Sequence, residues 1–232
     1  MTIEFIAFDA DDTLWHNETI YHKTQDKFKH LLSKYLPVDD LDEQLYHTEM
    51  SNLTYFGYGV KSFTLSMIET AARLTKGCVS ATDVLEIVSF AKAMLDEPVE
   101  LLPDVQPVID RLSKKYHLMI ITKGDLLDQT RKLSRSGLEP YFNWVEVVND
   151  KTSTVYAALF ELYHIQPKNF LMVGNSLRSD ILPVIELGAH AVYIPYHLTW
   201  AHEHDIQHLT KNEAYFEIEK ISLLPGLVDQ WA

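Results

Sequence analysis

Five short apolar runs, at residues 3–8, 118–121, 145–148, 170–173 and 191–194, recur along the chain with longer helical patterns between them. Runs of this length with no polar alternation are what strands buried on both faces look like. Residues 125–136 form one helical pattern, closed by Gly137, and residues 152–163 form another, with Val155, Leu159 and Leu162 on one face. Alternation of this kind predicts an α/β fold: a Rossmann-like, doubly wound parallel sheet with helices on both faces.

The interval from about 14 to 98 departs from the alternation, offering helical signals and no strand. Phe28, Leu31, Leu32, Tyr35 and Leu36 make one amphipathic stripe, stopped by Pro37. Val60, Phe63, Met67, Ala71 and Leu74 make a second, ended by Gly77. Ser80 followed by Asp83 is a capping pair that opens a third helix carrying Val84, Val88, Ala91 and Leu95. The division expected is a catalytic core of residues 1–14 and 99–232 and a smaller all-helical cap of residues 15–98. An insert whose two ends lie near the carboxyl edge of the sheet would sit over that edge as a lid.

Composition narrows the function. The 232 residues are 47% hydrophobic, enough for a packed core without disulfides or structural metals, and the single cysteine, Cys78, rules out an internal disulfide. A formal charge of −13 opposes a nucleic-acid role, which needs clustered Lys and Arg. Residues 3–8 run straight into carboxylates, and no later stretch reaches the roughly 18 apolar residues of a membrane span. A soluble cytoplasmic protein that binds neither nucleic acid nor membrane is expected, and no sequence feature bears on oligomeric state.

In an open parallel sheet ligands bind beyond the carboxyl ends of the strands, so the residues after each apolar run carry the chemistry. These are Asp9-Ala10-Asp11-Asp12-Thr13, Thr122-Lys123-Gly124-Asp125, Asn149-Asp150-Lys151-Thr152, and Gly174-Asn175-Ser176 with Asp180 further on. Asp9 and Asp11, two apart on an extended exit, would face one small volume, and such carboxylates repel unless a cation lies between them or one is protonated. A hard dication such as Mg²⁺ would relieve that conflict, and Asp180 offers a further carboxylate. Thr122 supplies a hydroxyl near a helix start and Lys151 a point charge, both suited to an anion. Taken singly, each of these residues has a plainer reading as a cap, a turn or a solvated charge. As an ordered set at one end of the sheet they point to phosphoryl chemistry.

Asp9-x-Asp11-x-Thr13, Thr122, Lys151 and Gly174-Asn175-x4-Asp180 resemble, in order and spacing, the four motifs of the haloacid dehalogenase superfamily, and the helical insert resembles its small cap. The resemblance implies a Mg²⁺-dependent phosphatase in which Asp9 is the nucleophile and forms an aspartyl-phosphate. It implies Asp11 as general acid and then base, Thr122 and Lys151 as holders of the phosphoryl group, and Asp9, the Asp11 carbonyl and Asp180 as Mg²⁺ ligands. The substrate class implied is a small phosphorylated metabolite. Three positions depart from the pattern: Asn175 stands where Asp is common, Lys123 adds a cation beside the phosphate site, and Thr152 replaces a frequent proline. Asn175 is expected to act behind the metal ligands, through its amide.

Among weaker signals, Lys61 in Gly57-Tyr58-Gly59-Val60-Lys61 is a candidate for substrate reading by the cap, with a plain helix start as the alternative. His197, His202, His204 and His208 fit no common zinc spacing, and Tyr196 and Trp200 are expected to pack. A phosphotransferase would use the same groups as a phosphatase. A haloacid dehalogenase would need neither metal nor Asp11, and a phosphate-sensing module would lack Asp9.

Overall fold

The structure, a computed structural model, describes residues 2–197 and 215–231. The chain forms β1 (Phe5–Phe8) and then four helices, α1 (Glu18–Leu32), α2 (Leu41–Phe56), α3 (Val60–Leu74) and α4 (Ala81–Asp96). It continues through α5 (Val105–Ser113), β2 (His117–Lys123), α6 (Leu126–Ser136), β3 (Trp144–Val148), α7 (Ser153–Leu162) and β4 (Phe170–Gly174). A wide turn over Leu177–Ile181 leads into α8 (Leu182–Ile185), followed by β5 (His190–Tyr193), β6 (Phe216–Glu217) and α9 (Leu224–Val228). Among the described residues no helix is long and apolar enough to cross a membrane.

All the described strand pairings are parallel, in the order β3-β2-β1-β4-β5-β6. This is the Rossmann-like sheet that the alternating pattern predicts. Successive residues point to opposite faces. Ile6, Phe8, Leu118, Ile120, Leu171 and Val173 pack beneath α5 and α9 on one side. Ala7, Met119, Ile121, Phe170 and Met172 pack against Tyr156, Leu159 and Phe160 of α7 and Val184 of α8 on the other. Burial on both faces removes any polar alternation from the strands, which is why they read as unbroken apolar runs. The edge strand β6 is two exposed residues and carries no pattern to read. Helix α5 was not among the helices read from the sequence. Pro107 lies in the first turn of α5, where its missing N–H costs nothing.

The described residues form two compact units. The first holds the residues up to Glu18, Val99–Lys123 and those from Gln129 on; the second holds Thr19–Pro98 together with Gly124–Asp128, a segment that the sequence reading counted with the core. In the first unit the outgoing and returning chains run side by side, with the Leu102 N–H on the Leu14 carbonyl at 2.9 Å and the His16 N–H on the Glu100 carbonyl at 3.0 Å.

The second unit has its own core of Phe28, Leu32, Leu41, Leu45, Phe63, Met67 and Ile87, among others. The expected α3 stripe is buried through Ala71. Helix α1 stops at Leu32, short of the expected Leu36, and beyond its end the Tyr35 hydroxyl hydrogen-bonds Asp83. Helix α2 was not foreseen: it buries Thr48, Glu49 and Asn52 where a stripe should be apolar. Polar groups on α3 answer two of these, Thr70 Oγ1 at 2.9 Å from Thr48 Oγ1, and Glu69 Oε2 and Ser66 Oγ accepting from the Asn52 amide at 2.9 and 3.2 Å. On α4 the buried line is Ile87, Ala91 and Met94 rather than the expected Val84, Val88, Ala91 and Leu95. The helix is apolar on much of its circumference, so periodicity could not choose the face. Val88 and Leu95 instead line, with Val60, Thr64 and Ile68, an apolar groove of about 300 Å³.

Candidate active site

The connections β1 to β2 to β3 build the sheet in one direction and those through β4 to β5 build it in the other, so the chain switches sides between β1 and β4. A crevice opens beyond the strand ends at such a switch. Asp9 leaves β1 there, its N–H still in the ladder on the Val173 carbonyl at 2.9 Å. The chain then turns: the Ala10 carbonyl accepts from the Leu14 N–H at 2.8 Å, and Asp12 takes a left-handed conformation, φ 61°. The turn carries the Thr13 hydroxyl back over Asp9, 3.1 Å from its Oδ2 and 3.2 Å from Asn175 Oδ1.

Lys151 follows β3, and its buried ammonium donates to Asp9 Oδ1 at 2.5 Å and to Asp180 Oδ1 at 2.7 Å. Asp180 is held from its other oxygen by the Ser176 N–H at 3.0 Å. Its carboxylate fills the space in front of Gly174, where an added Cβ would stand 2.2 Å from Oδ2, so β4 must end in glycine for Asp180 to reach the crevice. Burial is the largest influence on Asp9 and pushes its carboxyl well above the usual carboxylate range; Lys151 opposes the rise and Asp180 adds to it. Burial also pulls the Lys151 ammonium down, but Asp180 and Asp9 outweigh it and hold the group above the usual lysine range.

Asp11 has hydrogen-bond partners of its own. Its Oδ1 accepts from the Trp15 indole at 2.7 Å and from Lys132 at 3.0 Å, and its Oδ2 from the Gln129 amide at 2.8 Å. It lies near enough to raise Asp9 electrostatically, yet among the described residues no hydrogen bond links it to Asp9, Lys151 or Asp180. The strand has already turned at Ala10, so the direction of the Asp11 side chain is set by Trp15, Gln129 and Lys132 and not by the alternation of an extended chain. Trp15, Gln129 and Lys132 were missed from the sequence. Gln129 and Lys132 are three apart on α6, one helical face, which is the signal that would have found them.

Thr122 is buried at the end of β2, its hydroxyl 3.3 Å from the Lys123 carbonyl. Lys123 Nζ donates to Ser179 Oγ at 2.9 Å. Within the second unit, Lys61 is exposed in the first turn of α3 and paired with Asp125, Nζ to Oδ1 at 2.9 Å, while its N–H reaches Asp125 Oδ2 at 3.2 Å. Gly59 (φ 113°) makes room for this, since a Cβ there would stand 2.8 Å from Asp125 Oδ2. Tyr196 does more than pack: its hydroxyl shares a 2.6 Å hydrogen bond with His16 Nδ1, and its ring lies tilted against His197 at 4.3 Å between centroids. His202, His204, His208 and Trp200 lie outside the described residues.

Among the described residues no group of three or more His, Cys, Asp or Glu side chains is placed to hold a metal. Asp9 and Asp180 nonetheless offer carboxylate oxygens around one buried cation, Lys151, and the Asn175 amide oxygen meets the same Thr13 hydroxyl that Asp9 does. Two carboxylates and neutral oxygens suit a hard dication that keeps part of its water shell, so the residues fit Mg²⁺.

The sequence model of the haloacid dehalogenase-like hydrolases matches residues 3–188. A crystal structure of a haloacid dehalogenase-like family hydrolase from Xanthomonas campestris superposes with a TM-score of 0.89 at 36% identity, over 99% of this chain and 91% of that one. Human N-acylneuraminate-9-phosphatase is 24% identical over 167 residues, 69% of this chain and 65% of the relative, so the match spans somewhat under two thirds of that protein. Glyceraldehyde 3-phosphate phosphatase of Methanothermobacter thermautotrophicus is 31% identical over 110 residues, 45% of this chain and 47% of the relative.

Proposed function

The chain belongs to the haloacid dehalogenase-like hydrolases, and from that premise we propose that it is a Mg²⁺-dependent phosphatase acting on a small soluble phosphomonoester in the cytoplasm. The observation that carries the reading is the Lys151 ammonium held between Asp9 at 2.5 Å and Asp180 at 2.7 Å at the switch point of the sheet. A nucleophilic carboxylate, a fixed cation and a second carboxylate in one buried crevice are what phosphoryl transfer to a side chain requires. Two similar proteins, N-acylneuraminate-9-phosphatase and glyceraldehyde 3-phosphate phosphatase, bear names of enzymes that cleave phosphorylated metabolites.

In the proposed reaction an Asp9 oxygen attacks phosphorus, the bond from phosphorus to the leaving oxygen breaks, and Asp11 gives that oxygen its proton. Asp11, now ionised, takes a proton from water as the water oxygen attacks the aspartyl-phosphate; the bond from phosphorus to Asp9 breaks and inorganic phosphate departs. Thr122, Lys151 and Lys123 supply donors and positive charge to the phosphoryl oxygens. Asp9, Asp180 and the Asp11 carbonyl would hold Mg²⁺, with Asn175 behind them, and the bound ion would neutralise charge on the phosphoryl group.

The test is a panel of metabolite phosphates with Mg²⁺, scored by released phosphate, beside a panel of haloacids scored by released halide. Phosphate release is expected, lost by on the order of 10³-fold or more in Asp9→Asn, because an amide is a poor nucleophile. Halide release without phosphate release, or a fully active Asp9→Asn of unchanged fold, overturns the reading.

A further inference from the structure

Asp9 and Asp11 are two residues apart, and the proposed reaction asks different things of them: one presents a lone pair to phosphorus, the other gives and takes a proton. Each has a lysine of its own, Lys151 on Asp9 and Lys132 on Asp11. The Asp11 side chain springs from a turn rather than a strand, so the sheet does not set its direction. Its direction comes from Trp15, Gln129 and Lys132.

We propose, on the reading of Asp11 as the acid and base, that Lys132 and Gln129 are positioning residues that aim the Asp11 carboxylate relative to the phosphate site. Lys132, its side chain 15% exposed, reaches Asp11 Oδ1 at 3.0 Å and Oδ2 at 3.3 Å and also donates to Asn17 Oδ1 at 2.7 Å, so one ammonium fastens two points of the loop that leaves β1. Gln129 donates to Asp11 Oδ2 at 2.8 Å and to the Lys123 carbonyl at 2.9 Å. That carbonyl also faces the Thr122 hydroxyl at 3.3 Å, so the proposed acid/base and a proposed phosphate holder share one anchor. Both contacts of the Gln129 amide nitrogen are acceptors, which fixes the amide's orientation, since the flipped form would set oxygen against oxygen. In this orientation the buried Gln129 Oε1 has no partner among the described residues. A buried acceptor left unbonded lowers stability, and a position selected only for packing would take leucine. The glutamine is explained by what its two donors hold in place.

The test measures kcat and KM on para-nitrophenyl phosphate, whose leaving group needs little protonation, and on the alkyl phosphate best hydrolysed in the panel, whose leaving group needs much. Gln129→Leu and Lys132→Met are expected to lose up to about 10²-fold in kcat/KM on the alkyl phosphate, the parameter that covers only the steps through departure of the leaving group. On the aryl phosphate kcat/KM should stay within about threefold of wild type for both, since the hydrolysis of the aspartyl-phosphate that Asp11 also assists enters kcat but not kcat/KM. Lys132→Arg should recover most of the loss, and Gln129→Leu should be at least as heat-stable as wild type, a separation of stability from rate that a structural role would not give. Asp11→Asn runs in parallel. If it lacks the leaving-group-selective loss, the acid/base reading has failed and the proposal falls with it. If Asp11→Asn shows that loss while Gln129→Leu loses nothing, or loses equally on both substrates, the positioning proposal alone is overturned. Should Lys132→Met not fold, Gln129→Leu decides.

Discussion

Gly174 shows how a single residue type can be dictated by a group elsewhere in the chain. Nothing in its backbone conformation demands glycine; the Asp180 carboxylate does, standing 2.2 Å from where a Cβ would be. Gly174→Ala must therefore push Asp180 away from Lys151. A loss of about 1–3 kcal/mol in urea unfolding is expected from the overpacking, together with a higher Mg²⁺ concentration for half-maximal phosphate release. A variant with wild-type stability and an unmoved Mg²⁺ midpoint would show that Asp180 has somewhere else to go. At this scale the sequence was informative about Asp9, Lys151 and Asp180, which sit where strand ends put them. It was silent about what holds Asp11, because a turn beginning at Ala10 replaces the alternation of an extended strand and hands the side chain to Trp15, Gln129 and Lys132.

At the scale of elements, α4 begins on a cap that spacing alone revealed. Ser80 Oγ accepts from the Asp83 N–H at 3.1 Å and donates to Asp83 Oδ2 at 2.7 Å. Asp83 also accepts from Lys34 at 2.5 Å and from the Tyr35 hydroxyl, so Lys34 first, then Tyr35 and Ser80, hold its carboxyl well below the usual carboxylate range. A depressed pKa stabilises the fold above the unfolded carboxylate value, about 3.9, and the contribution is lost as pH falls through the lower folded value. Asp83→Asn should thus melt below wild type at neutral pH, and the gap should narrow as pH drops under about 4. Ser80→Ala should cost about 1 kcal/mol for the lost cap, with a pH dependence of the same sign as Asp83→Asn but smaller, since Lys34 and Tyr35 still hold the carboxyl. Melting curves from pH 7 downward check both, and a gap that widens in acid would contradict the assigned direction. The pair was legible because caps are local; α2 was not, because its buried Thr48 and Asn52 make sense only once Thr70, Ser66 and Glu69 of α3 face them.

Over the whole molecule, the two units have separate cores, one around Phe8 and Leu118 and another around Phe28 and Met67. Phe8→Ala and Phe28→Ala each remove a fully buried ring and should each cost about 3–5 kcal/mol. Their reach should differ. Under native conditions Phe28→Ala is expected to raise amide hydrogen exchange across residues 19–98 while β1, β2 and β4 keep their protection, and Phe8→Ala to weaken the sheet. Exchange that rises uniformly in both variants would mean the cores are one cooperative body. The sequence by itself determined the doubly wound sheet, the helical nature of the interruption and the strand-end positions of the reactive residues. All of these follow from local burial, which leaves a period in the sequence that can be read window by window. Tertiary structure alone decided which cation serves which carboxylate, Lys151 meeting Asp9 across 142 positions and Lys132 meeting Asp11 across 121, and it alone grouped 124–128 with the helical unit. A charged side chain carries no period and no partner's address, so its pairing exists only once the sheet order has brought distant strand ends and helix faces together.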